Sequence, residues 1–79
     1  MGRPVIIVVR PLGWHLRQTL RRRQMSQAQF AKRIGVHVGV VTNIIYRRQR
    51  ISPELAKRFE AVLGISATTW LRLQEETTK

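Results

Sequence analysis

Eight residues between positions 27 and 44 (Gln27, Phe30, Ala31, Ile34, Gly35, Val36, Val41 and Ile44) stand at offsets 0, 3, 4, 7, 8, 9, 14 and 17. Ser26 just before them is a good N-cap, and Phe30, Ala31 and Ile34 recur on one face of a helix. Gly35 falls where that helix must stop after about two turns, since a glycine accepts the positive φ of a helix end. A small residue at 31 lets two helices cross closely, and Val41 and Ile44 lock a second helix, about 38–46, onto the first. The segment carries almost no charge beyond Lys32 and Arg33. A pair of short helices joined by a tight turn is the arrangement that satisfies all eight positions.

The neutral centre sits in a basic chain. Fifteen Lys and Arg stand against four acids, and every acid lies at or after Glu54. Residues 1–53 therefore hold eleven cations and no anion, the whole net charge of +11, while 54–79 hold four of each and balance. Such a segment repels itself unless it faces a polyanion, and duplex DNA, with one charge per roughly 1.7 Å of axis, is the commonest. RNA or an anionic membrane would relieve it too.

Three further helices follow from periodicity. Leu12, Leu16 and Leu20 repeat every four residues, predicting a first helix over roughly 13–23. Ser52, Pro53 and Glu54 place a cap, a first-turn proline and an N-terminal acid in register, with Leu55, Phe59, Val62 and Leu63 inside and Gly64 as the stop. Ser66 opens another such unit carrying Trp70, Leu71 and Leu73. Val5, Ile6, Ile7, Val8 and Val9 are β-branched without exception between Pro4 and Pro11, which predicts a short strand. The expected fold is all-α, five helices with a short N-terminal β-strand. It divides into a strand or arm at 1–11, a domain at 12–76 and a tail at 77–79.

Two helices at this spacing read as a helix-turn-helix, whose second helix enters the major groove, with an ordinary helical hairpin as the alternative. Opposite Val41 and Ile44 the second helix presents Val38, Gly39, Thr42, Asn43 and Tyr46, because residues four apart stack on one side. Val38, Gly39, Thr42 and Asn43 are the expected base-facing residues. Asn43 can bond adenine bidentately, and Thr42 can bond a base or touch a thymine methyl. Gly39 costs helix stability and reads no base, so it either admits close backbone approach or leaves recognition to DNA shape. Gln27, His37, Arg47, Arg48 and Arg50 are the expected phosphate contacts, Gln27 at a helix N-terminus and the arginines in the loop YRRQR. His37 sits at the start of the second helix as a cap or phosphate neighbour. Arg21, Arg22 and Arg23 either touch DNA or complement the dipole of the helix they end.

SQAQFAKRIGV followed by VVTNII resembles the Cro and phage-repressor class. LGWHLRQTL, RISPELAKRFEAVLGIS and above all TTWLRLQ are similar to the HigA-type antitoxins of bacterial toxin–antitoxin pairs. The resemblance covers residues 12–74. It implies a homodimer on a palindromic double-stranded operator that represses its own operon and neutralises an mRNA-cleaving toxin, in the bacterial cytoplasm at the nucleoid. Leu12 and Arg47 stand where the family often has proline and glycine, and the first helix is rich in arginine where the family favours glutamate. Residues 5–9 then have two prospective partners, the same segment across a two-fold axis or an edge of the toxin's sheet.

Other classes find less support. His15 and His37 have no acid between them, and no Gly-rich phosphate loop is present, so neither an enzyme, a cofactor nor a metal is expected. The absence of cysteine suits a reducing compartment, and VIIVV is far short of the ~20 residues that span a bilayer. A phage or plasmid regulator with no toxin partner, or a nonspecific nucleic-acid binder, is the alternative reading.

Overall fold

The computed structural model describes residues 10–76, which form five helices: α1 (Leu12–Arg22), α2 (Gln27–Ile34), α3 (Val38–Ile45), α4 (Pro53–Leu63) and α5 (Ala67–Glu76). Among the described residues the fold is all-helical, in the order and close to the limits expected from the sequence. The strand expected at Val5, Ile6, Ile7, Val8 and Val9 lies outside the described residues. None of the described helices is long and apolar enough to cross a membrane.

Local chemistry sets the helix limits. The Ser26 Oγ accepts from the Gln29 N–H at 3.0 Å, and the Gln29 side chain accepts from the Ser26 N–H at 2.8 Å, a complete capping box at the start of α2. Gly35 ends that helix at φ 77°, a left-handed conformation that costs glycine nothing. The Ser52 Oγ accepts from the Leu55 N–H at 3.1 Å to open α4. At the start of α5, Ser66 Oγ accepts from the Thr69 N–H and Glu60 Oε1 accepts from the Ala67 N–H. Such caps matter most in helices as short as α2 and α3, where few internal bonds offset the cost of nucleation.

All five helices contribute to one core. Leu12, Leu16 and Leu20 of α1, Phe30, Ala31 and Ile34 of α2, and Val41, Ile44 and Ile45 of α3 are buried together with Leu55, Ala56, Phe59 and Leu63 of α4 and Trp70 of α5. An edge-to-face series runs through it, Phe30 to Phe59 at 5.0 Å between centroids and Phe59 to Trp70 at 5.4 Å. That geometry adds about 0.5–1.5 kcal/mol per pair beyond the apolar area buried. It also ties α2, which carries half of the motif, to the C-terminal helices.

Polar side chains join helix ends across the sequence. Arg58 Nη1 donates to the Ile34 carbonyl at 3.0 Å, satisfying the last turn of α2, while its Nη2 pairs with Glu54 at 3.3 Å. Arg23, expected to share one role with Arg21 and Arg22, instead donates from Nη2 to the Leu63 carbonyl at the end of α4. The Gln74 carboxamide is buried and bonds both backbone groups of Ile51. Its Oε1 accepts from the N–H at 2.7 Å and its Nε2 donates to the carbonyl at 3.1 Å.

Candidate nucleic-acid interface

The packing of α3 determines what it can present. Val41, Ile44 and Ile45 face the core, which leaves Val38 at 37% exposure, half-buried Gly39, Thr42 and Asn43, and Tyr46 at 57% on the outer side. The base-facing residues expected from the sequence thus share one outward face. Tyr46 is not packed into the core. It caps the helix, and the Arg48 guanidinium lies 5.8 Å from its ring centroid.

The start of α3 is held by a histidine. His37 Nδ1 accepts from the Gly39 N–H at 2.9 Å, so the cap reading of this residue is the one observed. It also bears on Gly39. A Cβ at that position would stand 3.1 Å from His37 Nδ1, tight enough to press on the capping ring. The sequence marked Gly39 as odd for a helix, and a side chain there would require the exposed His37 ring two residues earlier to give by a few tenths of an ångström.

Gln27, the first residue of α2, points across the motif. Its Oε1 accepts from the Thr42 hydroxyl at 3.0 Å, joining the amino end of α2 to the outer face of α3. Gln27 also lines a groove of about 310 Å³ with Arg17, Leu20, Arg21, Met25 and Ser26. Two arginines of α1 therefore border the amino end of α2, where outward amides and the helix dipole already favour an anion. Arg17 was not singled out in the sequence, because nothing local distinguishes it from other surface cations.

The loop after α3 holds the remaining cations. Arg47 adopts φ 64°, the left-handed conformation for which glycine is usual. For an L-residue this backbone costs about 1–2 kcal/mol. Arg48 N–H donates to the Asn43 carbonyl at 2.8 Å, closing the turn. Arg50 pairs with Glu75 at 2.6 Å, with both side chains more than half exposed at 58% and 66%. An exposed pair of this kind contributes only about 0–1 kcal/mol, so Arg50 can exchange its carboxylate for another anion at small cost. Among the described residues no group of three or more His, Asp or Glu is placed to hold a metal ion.

A helix-turn-helix family model matches residues 16–70, more than half of the chain. Among solved structures, the chain is similar to PA4674 of Pseudomonas aeruginosa in complex with its operator DNA. Identity is 30% over 87% of this chain and 77% of that chain, at a TM-score of 0.77. It is similar to the Pseudomonas aeruginosa antitoxin HigA with the higBA promoter, at 28% identity over 87% and 76% of the two chains and a TM-score of 0.79. It is also similar to an addiction module antidote protein of the HigA family from Coxiella burnetii, at 26% identity over 87% and 76% and a TM-score of 0.76. No curated protein matches the chain. The resemblance read from SQAQFAKRIGV and TTWLRLQ is thus matched by solved HigA-type antitoxins over 87% of this chain. With Gly35 in its left-handed turn, α3 packed across α2 and the family model spanning both, this chain belongs to the helix-turn-helix family.

Proposed function

We propose that the protein is a sequence-specific, dimeric DNA-binding repressor, the antitoxin of a HigBA-like pair that represses its own operon and neutralises an mRNA-cleaving toxin. The observation that carries this reading is the outer face of α3, where Val38, Gly39, Thr42 and Asn43 lie together beside the Arg47, Arg48 and Arg50 loop, the arrangement a recognition helix with a phosphate-contacting rim requires. Relatives solved with operator DNA and with the higBA promoter support it. One α3 spans only a few base pairs. A symmetric dimer placing two such helices ~34 Å apart in successive major grooves supplies the remaining specificity. Footprinting on the chain's own upstream DNA tests this: one protected palindrome is expected, and uniform protection at low salt overturns it.

Reading and anchoring are separable. Asn43→Ala is expected to weaken the cognate site by about 1–3 kcal/mol and spare random DNA, whereas Arg48→Ala weakens both and lowers the salt slope by about one unit. Binding isotherms on both duplexes across a salt series decide. Equal losses on the two DNAs for Asn43→Ala would remove its base-reading role.

Arg47 trades fold stability for charge. Arg47→Gly is expected to raise stability by about 1 kcal/mol, roughly 4–8 °C for a domain of this size, because glycine takes the left-handed backbone without strain. The same variant loses affinity for every duplex alike. A thermal melt beside a binding titration checks both signs, and a variant that binds DNA undiminished has no phosphate contact at 47.

The arginine-rich outer surface of α1 at Arg17, Arg21 and Arg22 suits either a toxin with an acidic contact face or DNA alone, the latter the reading of a regulator without a toxin. Co-purification with the product of a neighbouring gene distinguishes the two.

A further inference from the structure

We propose that Gln27 turns Thr42 into a proton acceptor at the DNA surface, so that the operator base it meets offers an exocyclic amino group, adenine N6 or cytosine N4. This rests on the reading of α3 as the recognition helix.

A threonine hydroxyl has one hydrogen and two lone pairs, and left alone it rotates to suit a donor or an acceptor. Inside a helix its hydrogen usually goes to the carbonyl four residues back. Thr19 does so here, donating to the His15 carbonyl at 2.8 Å. Thr42 does not: its hydroxyl donates to Gln27 Oε1 at 3.0 Å.

Both ends of that bond are fixed. Gln27 lies inside the Ser26–Gln29 capping box, and α3 is pinned by the His37 cap on Gly39. Gln27 and Thr42 are each half-buried, so water competes weakly for the bond. The orientation of the amide also fits the proposed phosphate contact of Gln27. With Oε1 turned to Thr42, the two Nε2 hydrogens are left for a passing phosphate, whereas a reversed amide would aim its oxygen at that anion.

With its hydrogen committed, Thr42 offers a base only lone pairs. In the major groove, adenine N6 and cytosine N4 donate, while guanine O6 and N7, adenine N7 and thymine O4 accept. An acceptor brought against the Thr42 oxygen has no proton between them and loses its water besides. Thr42 therefore discriminates by polarity, and Gln27, which need not touch a base, is the positioning residue that sets the sign.

The test separates donor from acceptor on the DNA. Selection from a randomised duplex library with the wild-type protein and with Thr42→Val locates the base pair whose preference depends on the hydroxyl. Duplexes are then made in which the adenine or cytosine of that pair lacks its exocyclic amino group, or its purine carries carbon in place of N7. The wild type is expected to lose about tenfold in affinity on amino deletion and about twofold or less on the N7 change. Thr42→Val loses about twofold or less on either, which cancels any effect of the analogue on base pairing itself. Gln27→Ala releases the hydroxyl hydrogen, so its loss on amino deletion shrinks toward that of Thr42→Val. Gln27→Glu, which can only accept, retains the wild-type ratio between duplexes even though its charge lowers affinity for all of them.

Sensitivity to N7 without sensitivity to the amino group overturns the proposal. So does a Gln27→Ala ratio equal to the wild type, or a Thr42→Val motif identical to the wild type. A library that enriches no motif rejects the sequence-specific reading itself and this inference with it.

Discussion

Gly13→Ala is expected to destabilise the protein by about 3 kcal/mol, at the upper end for overpacking a core, although alanine is the better helix former by about 1 kcal/mol. The intrinsic preference and the packing have opposite signs here, and distance decides between them. A Cβ on Gly13 would stand 2.1 Å from the carbonyl oxygen of Ile45, 2.7 Å from its carbonyl carbon and 2.8 Å from its Cα. These are backbone atoms in the last turn of α3, so no side-chain rotation relieves the overlap. Either α1 moves off α3 or α3 tilts. The melting temperature should fall by about 12–24 °C, given roughly 4–8 °C per kcal/mol in a domain of this size. A tilt at Ile45 also shifts Tyr46 and the arginines beyond it, so operator affinity should fall even where the variant remains folded. Gly64→Ala provides the control. Its site has φ 75° and nothing within 4 Å of a Cβ, so alanine there adds only backbone strain, a loss of about 1 kcal/mol of stability. A Gly13→Ala protein that melts at or above the wild type would mean that α1 and α3 separate freely, and the close-packing account would be wrong.

Gly13 marks the boundary of what the sequence discloses. Periodicity shows that a helix begins near it, because Leu12, Leu16 and Leu20 recur at helical spacing, but it is silent about the backbone 32 positions later that needs the space. The same division runs through the fold. Caps at Ser26 and Ser52 and stops at Gly35 and Gly64 are local chemistry, so the limits of α2 and α4 were legible. Phe30, Ala31, Ile34, Val41 and Ile44 were legible as one packing surface because burial follows helical periodicity. Bonds between polar atoms far apart in the chain leave no such trace. Arg21, Arg22 and Arg23 form one run in the sequence, yet Arg23 turns to the Leu63 carbonyl.

The candidate site divides likewise. Periodicity placed Val38, Gly39, Thr42 and Asn43 on one outer face, and the departure from glycine at 47 was visible from the family resemblance. That this arginine holds a left-handed backbone, that Thr42 is bonded to Gln27 and that Arg50 meets Glu75 all depend on how the helices are joined. Gly39 is intermediate. The neighbour that a side chain there would meet is only two residues away, but a histidine cap on its amide is rarer than the serine caps of α2 and α4 and was one of two roles open to His37.

Gln74→Leu is expected to lose about 2–5 kcal/mol, because two buried backbone groups lose their partner at once. Leucine nearly preserves the volume of the side chain, so the loss isolates the hydrogen bonds from the packing. Ile51 is 4% exposed, and its N–H and carbonyl lie between α3 and α4, where the Gln74 carboxamide serves them as a neighbouring strand would. Deprived of it, Ile51 must either remain unsatisfied or move toward water, and moving opens the segment from Tyr46 to Arg50. That segment carries Arg47, Arg48 and Arg50, and Arg50 is tied to Glu75, the residue after Gln74. The final turns of α5 thus hold the rim of the proposed DNA interface from behind, which gives the Trp-Leu-x-Leu-Gln ending a physical role: Trp70 enters the aromatic core and Gln74 fixes the loop. Denaturant titration measures the stability, and amide hydrogen exchange at Ile51 reads the bond directly. Protection there should drop more than the global loss explains, and binding should weaken on cognate and random DNA alike, since loop cations and not base contacts are disturbed. If the Ile51 amide of Gln74→Leu exchanges as slowly as in the wild type, α5 does not hold the loop.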